Sequence, residues 1–408
     1  AIDAGALTLT DAQTVTIQSA GGANHTLGAV TLDATDTDTV TVTTALAGSD
    51  LTTGALAADD AQTLTVTAAH DNSSISIGTS TLATADKLTS ITLTAEVEND
   101  ADITITDLGG TAAAAALETI TITASADATI ASATGADITT GAITATGADL
   151  TAITLSANYT GSVITVGGAG GDQVLADSVT TFTVSAVSGA TVDVQGGVDV
   201  TTIGQLSASG AGTVIFDNGD NDTATLERVD VTMTGTFTSV FHQTTDVVTY
   251  TLGTGTNTIT TGTANDVVYL ASGGGTDDVK MSTSSSGAIT IHNFQVGASA
   301  DDIAISLLGI NTGFSTDVVN LDTGDADKLT AADSISFETV TGATDLATVT
   351  ADTNVLVLNG DLANTGAVET ALEVGGSFAL TAPGDGSGAN DFITGDAIMV
   401  LYDNGVDS

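Results

Sequence analysis

Cysteine is missing from this chain altogether, which excludes a disulfide framework, thiolate chemistry and Cys-based metal sites. Basic residues are almost as scarce. Four Lys and Arg stand against 50 Asp and Glu, for a formal net charge of -46. Nucleic acid and anionic membrane surfaces are recognised through basic patches, so both are excluded as expected partners. No apolar run approaches the roughly 18 residues a membrane-spanning helix requires, and no insertion into a membrane is expected. Tryptophan is absent and aromatics make up 3%, which argues against a strong sugar-stacking platform. The one proline, Pro383, leaves backbone ladders free to run uninterrupted.

High charge with few aromatics is also a mark of disorder. Here 42% of residues are hydrophobic, mean hydropathy is +0.32, and the apolar residues alternate in register, so a folded chain is expected. Thr is abundant and favours strands. The acids are nearly all Asp, which favours turns over helical surfaces.

The organising feature is a repeated phrase, clearest at Ala85-Asp86-Lys87-Leu88-Thr89-Ser90-Ile91-Thr92-Leu93-Thr94. It reads as an acidic turn followed by alternating aliphatic and Thr residues. Variants occur at Asp11 to Ile17, Asp36 to Val42, Asp59 to Val66, Leu117 to Ile122, Asp149 to Leu155 and Asp177 to Val184. Aligned on a central apolar anchor, they give Val15, Val40, Leu64, Ile91, Ile120, Ile153 and Phe182. The anchors recur every about 24–33 residues, a period that signals stacked supersecondary units. Alternation turns an aliphatic face inward and a Thr face outward. Short strands between Gly, Asp, Asn and Ser turns predict an all-β chain built as an elongated parallel β-solenoid; an array of antiparallel β-sandwich domains is the competing reading.

Three regions are expected. Positions 1–200 form solenoid repeats of about 24–33 residues each. Positions 201–290 carry longer-loop repeats with a lengthened period. Positions 291–408 hold five of the nine phenylalanines and form a smaller β-rich domain that caps the solenoid. Asn364 to Val374 is read as a short helix, and Val355-Leu356-Val357-Leu358 and Ile398-Met399-Val400-Leu401 as buried strands. The chain starts at Ala1 with the repeat already under way and without a basic, apolar signal. A processed or trimmed product is expected, with a secretion route read from the C-terminus left open and an uncapped end available for contact between copies.

The local motif richest in chemistry is Gly262-Thr263-Ala264-Asn265-Asp266-Val267-Val268, followed closely by Gly273-Gly274-Gly275-Thr276-Asp277-Asp278-Val279. Leu252 to Ile259 has similar spacing. Glycines permit tight turns and offer carbonyl oxygens, and Ca2+ takes six to eight oxygen ligands. Asn265, Asp266, Gly273, Gly275, Asp277 and Asp278 are therefore candidate calcium ligands, the alternative being ordinary Gly-Asp turns. Asp217, Asp220 and Asp222 form a second acidic cluster and Asp322, Asp325 and Asp327 a third; each reads equally as a metal site or a solvated loop. The glycine-spaced stretch resembles degenerate copies of the calcium-binding nonapeptide of RTX proteins, in which such repeats build a parallel β-roll.

Phe294-Gln295-Val296-Gly297 followed by Asp301-Asp302-Ile303-Ala304-Ile305-Ser306 resembles the region after the repeats in type I-secreted proteins, with Ala304 where an acid is usual. Ile398 to Gly405 is similar to the penultimate strand of such a domain. With the Cys-free, Thr- and Asp-rich body, the chain resembles surface-layer and related extracellular structural proteins of Gram-negative bacteria. The resemblance implies type I export, folding outside the cell on meeting calcium, and assembly into a lattice or filament at the bacterial cell surface. The expected partner is another copy of the chain, with cell-surface polysaccharide as a further one.

Enzyme readings have little to stand on. The histidines His25, His70, His242 and His292 are scattered, and no zinc-protease, nucleophile-elbow or phosphate-loop motif occurs. A polysaccharide lyase needs basic residues in its cleft, and Arg228 is the only arginine. The expectation is a non-enzymatic, self-assembling structural protein. An adhesin or glycan-binding stalk and a solenoid polysaccharide-degrading enzyme are the alternatives.

Overall fold

A computed structural model describes residues 2–281 except 11–13, 20–23, 34–38, 58–60, 82–87, 98–100, 110–115, 127–134, 168–171, 196, 217–224, 242–243 and 272–274. Beyond these it describes 289–293, 302–305, 336–340, 344–345, 353–361, 370–372, 376–377, 380–381 and 399–403. The chain divides into two compact units, one covering Ala1–Met281 and Ser286–Ala304, the other formed chiefly by Ile305–Ser408.

The first unit is a β-solenoid, and its strands pair in parallel throughout the described residues. That excludes the antiparallel sandwich reading there. Each early rung contributes three strands, as in Asp50–Thr53, Leu56–Ala57 and Thr63–Ala68. Equivalent strands stack into three ladders. The first is a 13-stranded sheet. The second and third merge where Ile143–Ala157 runs unbroken round the corner. Its start pairs with Leu108–Gly109 of the second ladder and its end with Thr119–Ala126 of the third. Asp172–Ala186 and Gly197–Gly210 are similarly long.

The alternation of aliphatic and Thr residues dictates this arrangement. Inward residues of the third ladder stack as Val15, Val40, Leu64, Ile91, Ile120, Ile153 and Phe182, each directly in register with the next. The column continues through Leu206, Val229, Tyr250, Val268 and Ile291. The first ladder faces it with Leu51, Ile75, Ile103, Ile138, Ile164, Val192, Val214 and Phe237. These side chains close a single continuous core, and burial of the aliphatic face is the main drive for stacking. Phe182 of this column meets Phe216 edge-on at 5.0 Å, and Phe241 lies 5.5 Å from Phe216.

The ladders cross position 200 without a break. After it the rungs shorten. Leu206, Val229, Tyr250, Val268 and Ile291 follow one another more closely in sequence than any neighbouring anchors from Val15 to Phe182. The expected lengthening is thus corrected. Glycine-rich turns look long when counted between aliphatic runs, yet they close a corner with less chain than the loops of the first half. One glycine column lets successive turns lie in close backbone contact. A Cβ on Gly235 would sit 2.0 Å from the Gly212 carbonyl oxygen, one on Gly255 2.0 Å from that of Gly235, and one on Gly275 2.5 Å from that of Gly255. The first-ladder strands begin immediately after these glycines.

In the second unit, Ser336–Val340, Thr353–Asp361 and Met399–Asp403 form a parallel three-stranded sheet in which Val355 meets Met399 and Val357 meets Leu401. Both apolar runs expected as strands contribute to it. Within the stretch read as a helix, positions 370–372 are helical; the rest of that stretch lies outside the described residues.

Candidate functional site

The glycine-spaced stretch singled out for cation chemistry forms late rungs of the described solenoid, with Thr290–His292 and Asp302–Ile305 stacked beyond it. Val267–Tyr269 enters the third ladder and Thr276–Met281 the first. Strict alternation decides which acid points where. Asp266 directly precedes its strand and is buried, whereas Asn265 beside it is exposed. Asp277 points inward and is 1% exposed. Asp278, its neighbour, is half-buried on the outer side and pairs with Lys280 at 3.4 Å.

Asp266 uses both carboxylate oxygens on backbone. Oδ2 accepts from Gly262 N within its own turn, and Oδ1 accepts from Val248 N of the preceding rung, each at 2.9 Å. The side chain therefore closes one corner and ties it to the next. Burial pushes its pKa up, and the two backbone hydrogen bonds offset this only in part. Burial likewise holds the Tyr250 hydroxyl well above the ordinary phenol value, reinforced by the Asp266 charge. Tyr250 is fully buried, and among the described residues its hydroxyl has no hydrogen-bond partner.

The second arrangement is a polar insertion into the aliphatic column of the first ladder. After Phe237 the next in-register residues are Asn257 and Asp277, both buried. Asn257 Nδ2 donates to Asp277 Oδ1 at 2.6 Å and to the Gly253 carbonyl at 2.9 Å. Its Oδ1 is buried without a partner among the described residues. Neither the pairing nor the role of Tyr250 is read from the sequence. The signal is present, however: Gly253 to Ile259 and Gly273 to Val279 repeat the pattern Gly-x-Gly-Thr-(Asn/Asp)-x-aliphatic on successive rungs.

The donor set here is all oxygen, as Ca2+ requires. Each carboxylate oxygen of Asp266 already accepts one backbone N–H, from Val248 and from Gly262. Asp266 therefore serves as a corner lock. Among the described residues no group of three or more His, Cys, Asp or Glu converges on a metal position. Gly275 is described, with φ +115°; Gly273 lies outside the described residues, as do Asp217, Asp220, Asp222, Asp322, Asp325 and Asp327.

The fold and these interior polar groups define a parallel β-solenoid with a hydrogen-bonded polar segment at the end of its aliphatic core. The chain matches no protein-family model, and comparison with curated proteins and with solved structures finds no significant match.

Proposed function

We propose that this is a non-enzymatic, secreted structural protein that self-assembles at the bacterial cell surface into a layer or filament, with calcium as the counter-ion of its acidic turns. The observation that carries the reading is the unbroken in-register column from Val15 to Ile291. At about 4.8 Å per rung, the column spans roughly 50 Å of cross-linked backbone. It supplies stiffness and repeated surface, which a scaffold needs. Electrostatics supports the cation. Among the described residues the ion pairs include Arg228–Asp230 and Lys280–Asp278, and four basic residues in all can offset little of a charge of -46. Self-repulsion of that size opposes the compact state, and a cation that binds only folded or assembled chains stabilises them by mass action.

The test is assembly of the purified chain in millimolar Ca2+, followed by negative-stain imaging and light scattering before and after EGTA. Sheets or filaments that dissolve on chelation are expected. Assemblies and melting temperature indifferent to EGTA at low salt would overturn the calcium part, and persistent monomers would overturn the structural reading in favour of an adhesin.

A further inference from the structure

We propose that the outward face of the third ladder, from Thr14 to Ser209, is the surface on which a second copy of this chain docks. The inference rests on the assembly reading above and names the face that serves it.

Charge selects the face. Its central column runs Thr41, Thr65, Thr92, Thr121, Thr154 and Thr183, each in register with the next. The two flanking outward columns, from Thr14 and Gln18 to Gln205 and Ser209, hold only Thr, Ser, Gln and Ala. No carboxylate occupies these three columns over eight rungs, in a chain with 50 acids. The first ladder differs. Its outward positions include Asp50, Asp102, Asp137, Asp193 and Asp278. Among the described residues, acids beside the Thr face lie at its margins, where Glu118, Asp149 and Asp177 are exposed on one side and Glu96 on the other. Charge reappears on the face only at Arg228 and Asp230, already paired at 2.6 Å. Two copies this negative meet at the least electrostatic cost through this face, because like charges brought together across an interface cost several kcal/mol.

Shape and chemistry agree with a self-complementary contact. Parallel strands about 4.8 Å apart, with same-face residues about 6.6 Å apart along each strand, present the hydroxyls as a regular grid. Eight rungs by about five residues give on the order of 600 Å² per copy, near the roughly 800 Å² per partner of a standard interface. A hydroxyl both donates and accepts, so a Thr grid can pair with a second copy of itself. Neighbouring rungs already show such exchange, with Thr63 Oγ1 donating to Thr39 Oγ1 at 3.3 Å and Ser185 Oγ to Ser156 Oγ at 3.1 Å.

The test places the same added charge on two faces. One variant carries Thr92→Asp and Thr154→Asp on the third ladder; the other carries Thr104→Asp and Thr165→Asp on the first. In each pair one rung separates the two sites. Circular dichroism confirms that both variants fold, and light scattering with negative-stain imaging reads the critical concentration for assembly. The third-ladder variant is expected to raise it about tenfold or more, while the first-ladder variant assembles like wild type. Wild-type assembly together with an unimpaired third-ladder variant, or impairment by the first-ladder variant alone, overturns this inference and leaves the assembly reading standing. A wild-type chain that never assembles overturns both.

Discussion

Asn257 and Asp277 occupy successive rungs of a column that stacks aliphatic and aromatic side chains from Leu51 to Phe237, and the Asn257 amide donates to the Asp277 carboxylate across 2.6 Å. The pair replaces hydrophobic contact with a buried hydrogen bond, and the two are energetically unequal. Removing one partner of a buried polar pair costs more than replacing both with apolar groups. Asn257→Leu is expected to destabilise by about 2–4 kcal/mol, because Asp277 Oδ1 loses its amide donor. The double variant Asn257→Leu/Asp277→Val is expected to recover most of that loss. Denaturant titrations of the four proteins in a double-mutant cycle check this; an additive double variant would refute it.

Tyr250 gives a second prediction. Its hydroxyl is buried and, among the described residues, unpartnered, so Tyr250→Phe is expected to leave stability unchanged or raise it by up to about 1 kcal/mol. The alkaline behaviour follows from the raised pKa. Above the ordinary value of 10.0, the unfolded chain ionises this phenol while the folded chain keeps it protonated. Stability therefore falls as pH rises beyond that value. Thermal melts over the alkaline range should show a steeper loss for wild type than for the Phe variant.

Asp266 carries the corresponding effect on the acid side. Its folded pKa lies above the ordinary 3.8, so within that window the folded state holds the extra proton and its stability declines as pH rises. Asp266→Asn removes this titration and also one of the two acceptors that serve Val248 N and Gly262 N. The variant is expected to be less stable than wild type, and the margin between them should shrink as pH rises through the window. The remaining acids titrate in both proteins and cancel in the difference. Paired melts across the acid range provide the measurement, and a margin that grows with pH would contradict the assignment.

Packing between rungs can be probed at the glycine column. A Cβ at Gly255 would lie 2.0 Å from the Gly235 carbonyl oxygen, so Gly255→Ala forces the rungs apart. A loss of about 1–3 kcal/mol or more is expected. Gly5→Ala serves as the control, since nothing lies within 4 Å of its added Cβ. Equal midpoints for the two variants in urea would show that the rungs can yield without cost.

Aromatic filling of the interior is tested at Phe216, in contact with both Phe182 and Phe241. Phe216→Ala is expected to cost about 3–5 kcal/mol. Phe216→Leu, which retains most of the volume, should cost less than half of that in the same denaturant titrations.

The seven anchors from Val15 to Phe182 were legible without coordinates, and each stacks on the next. Period-2 alternation of Val, Ile or Leu with Thr leaves little choice about which side chains face inward, and a one-residue slip would turn the whole set outward. Later rungs were harder to read. Between Leu206 and Val268 the anchor changes identity through Val229 to Tyr250, and Val268 follows Tyr250 more closely than any earlier anchor follows its predecessor. Gly-Asp spacing announced turns there, but not what each acid does. Asp266 and Asp278 look alike in sequence; one locks a corner through two backbone N–H groups and the other meets Lys280 at the surface.

The sequence by itself determined the repeat, its inward and outward faces and the shortage of basic residues, because these follow from local alternation and from composition. Only the tertiary structure decided which residues of distant rungs become neighbours. That neighbourhood sets Asn257 on Asp277, brings Val248 N to Asp266, and aligns Thr41 through Thr183 into one uncharged face. The physical reason is that a parallel stack places equivalent positions of successive rungs within about 5 Å of each other, at sequence steps fixed by how tightly each corner closes.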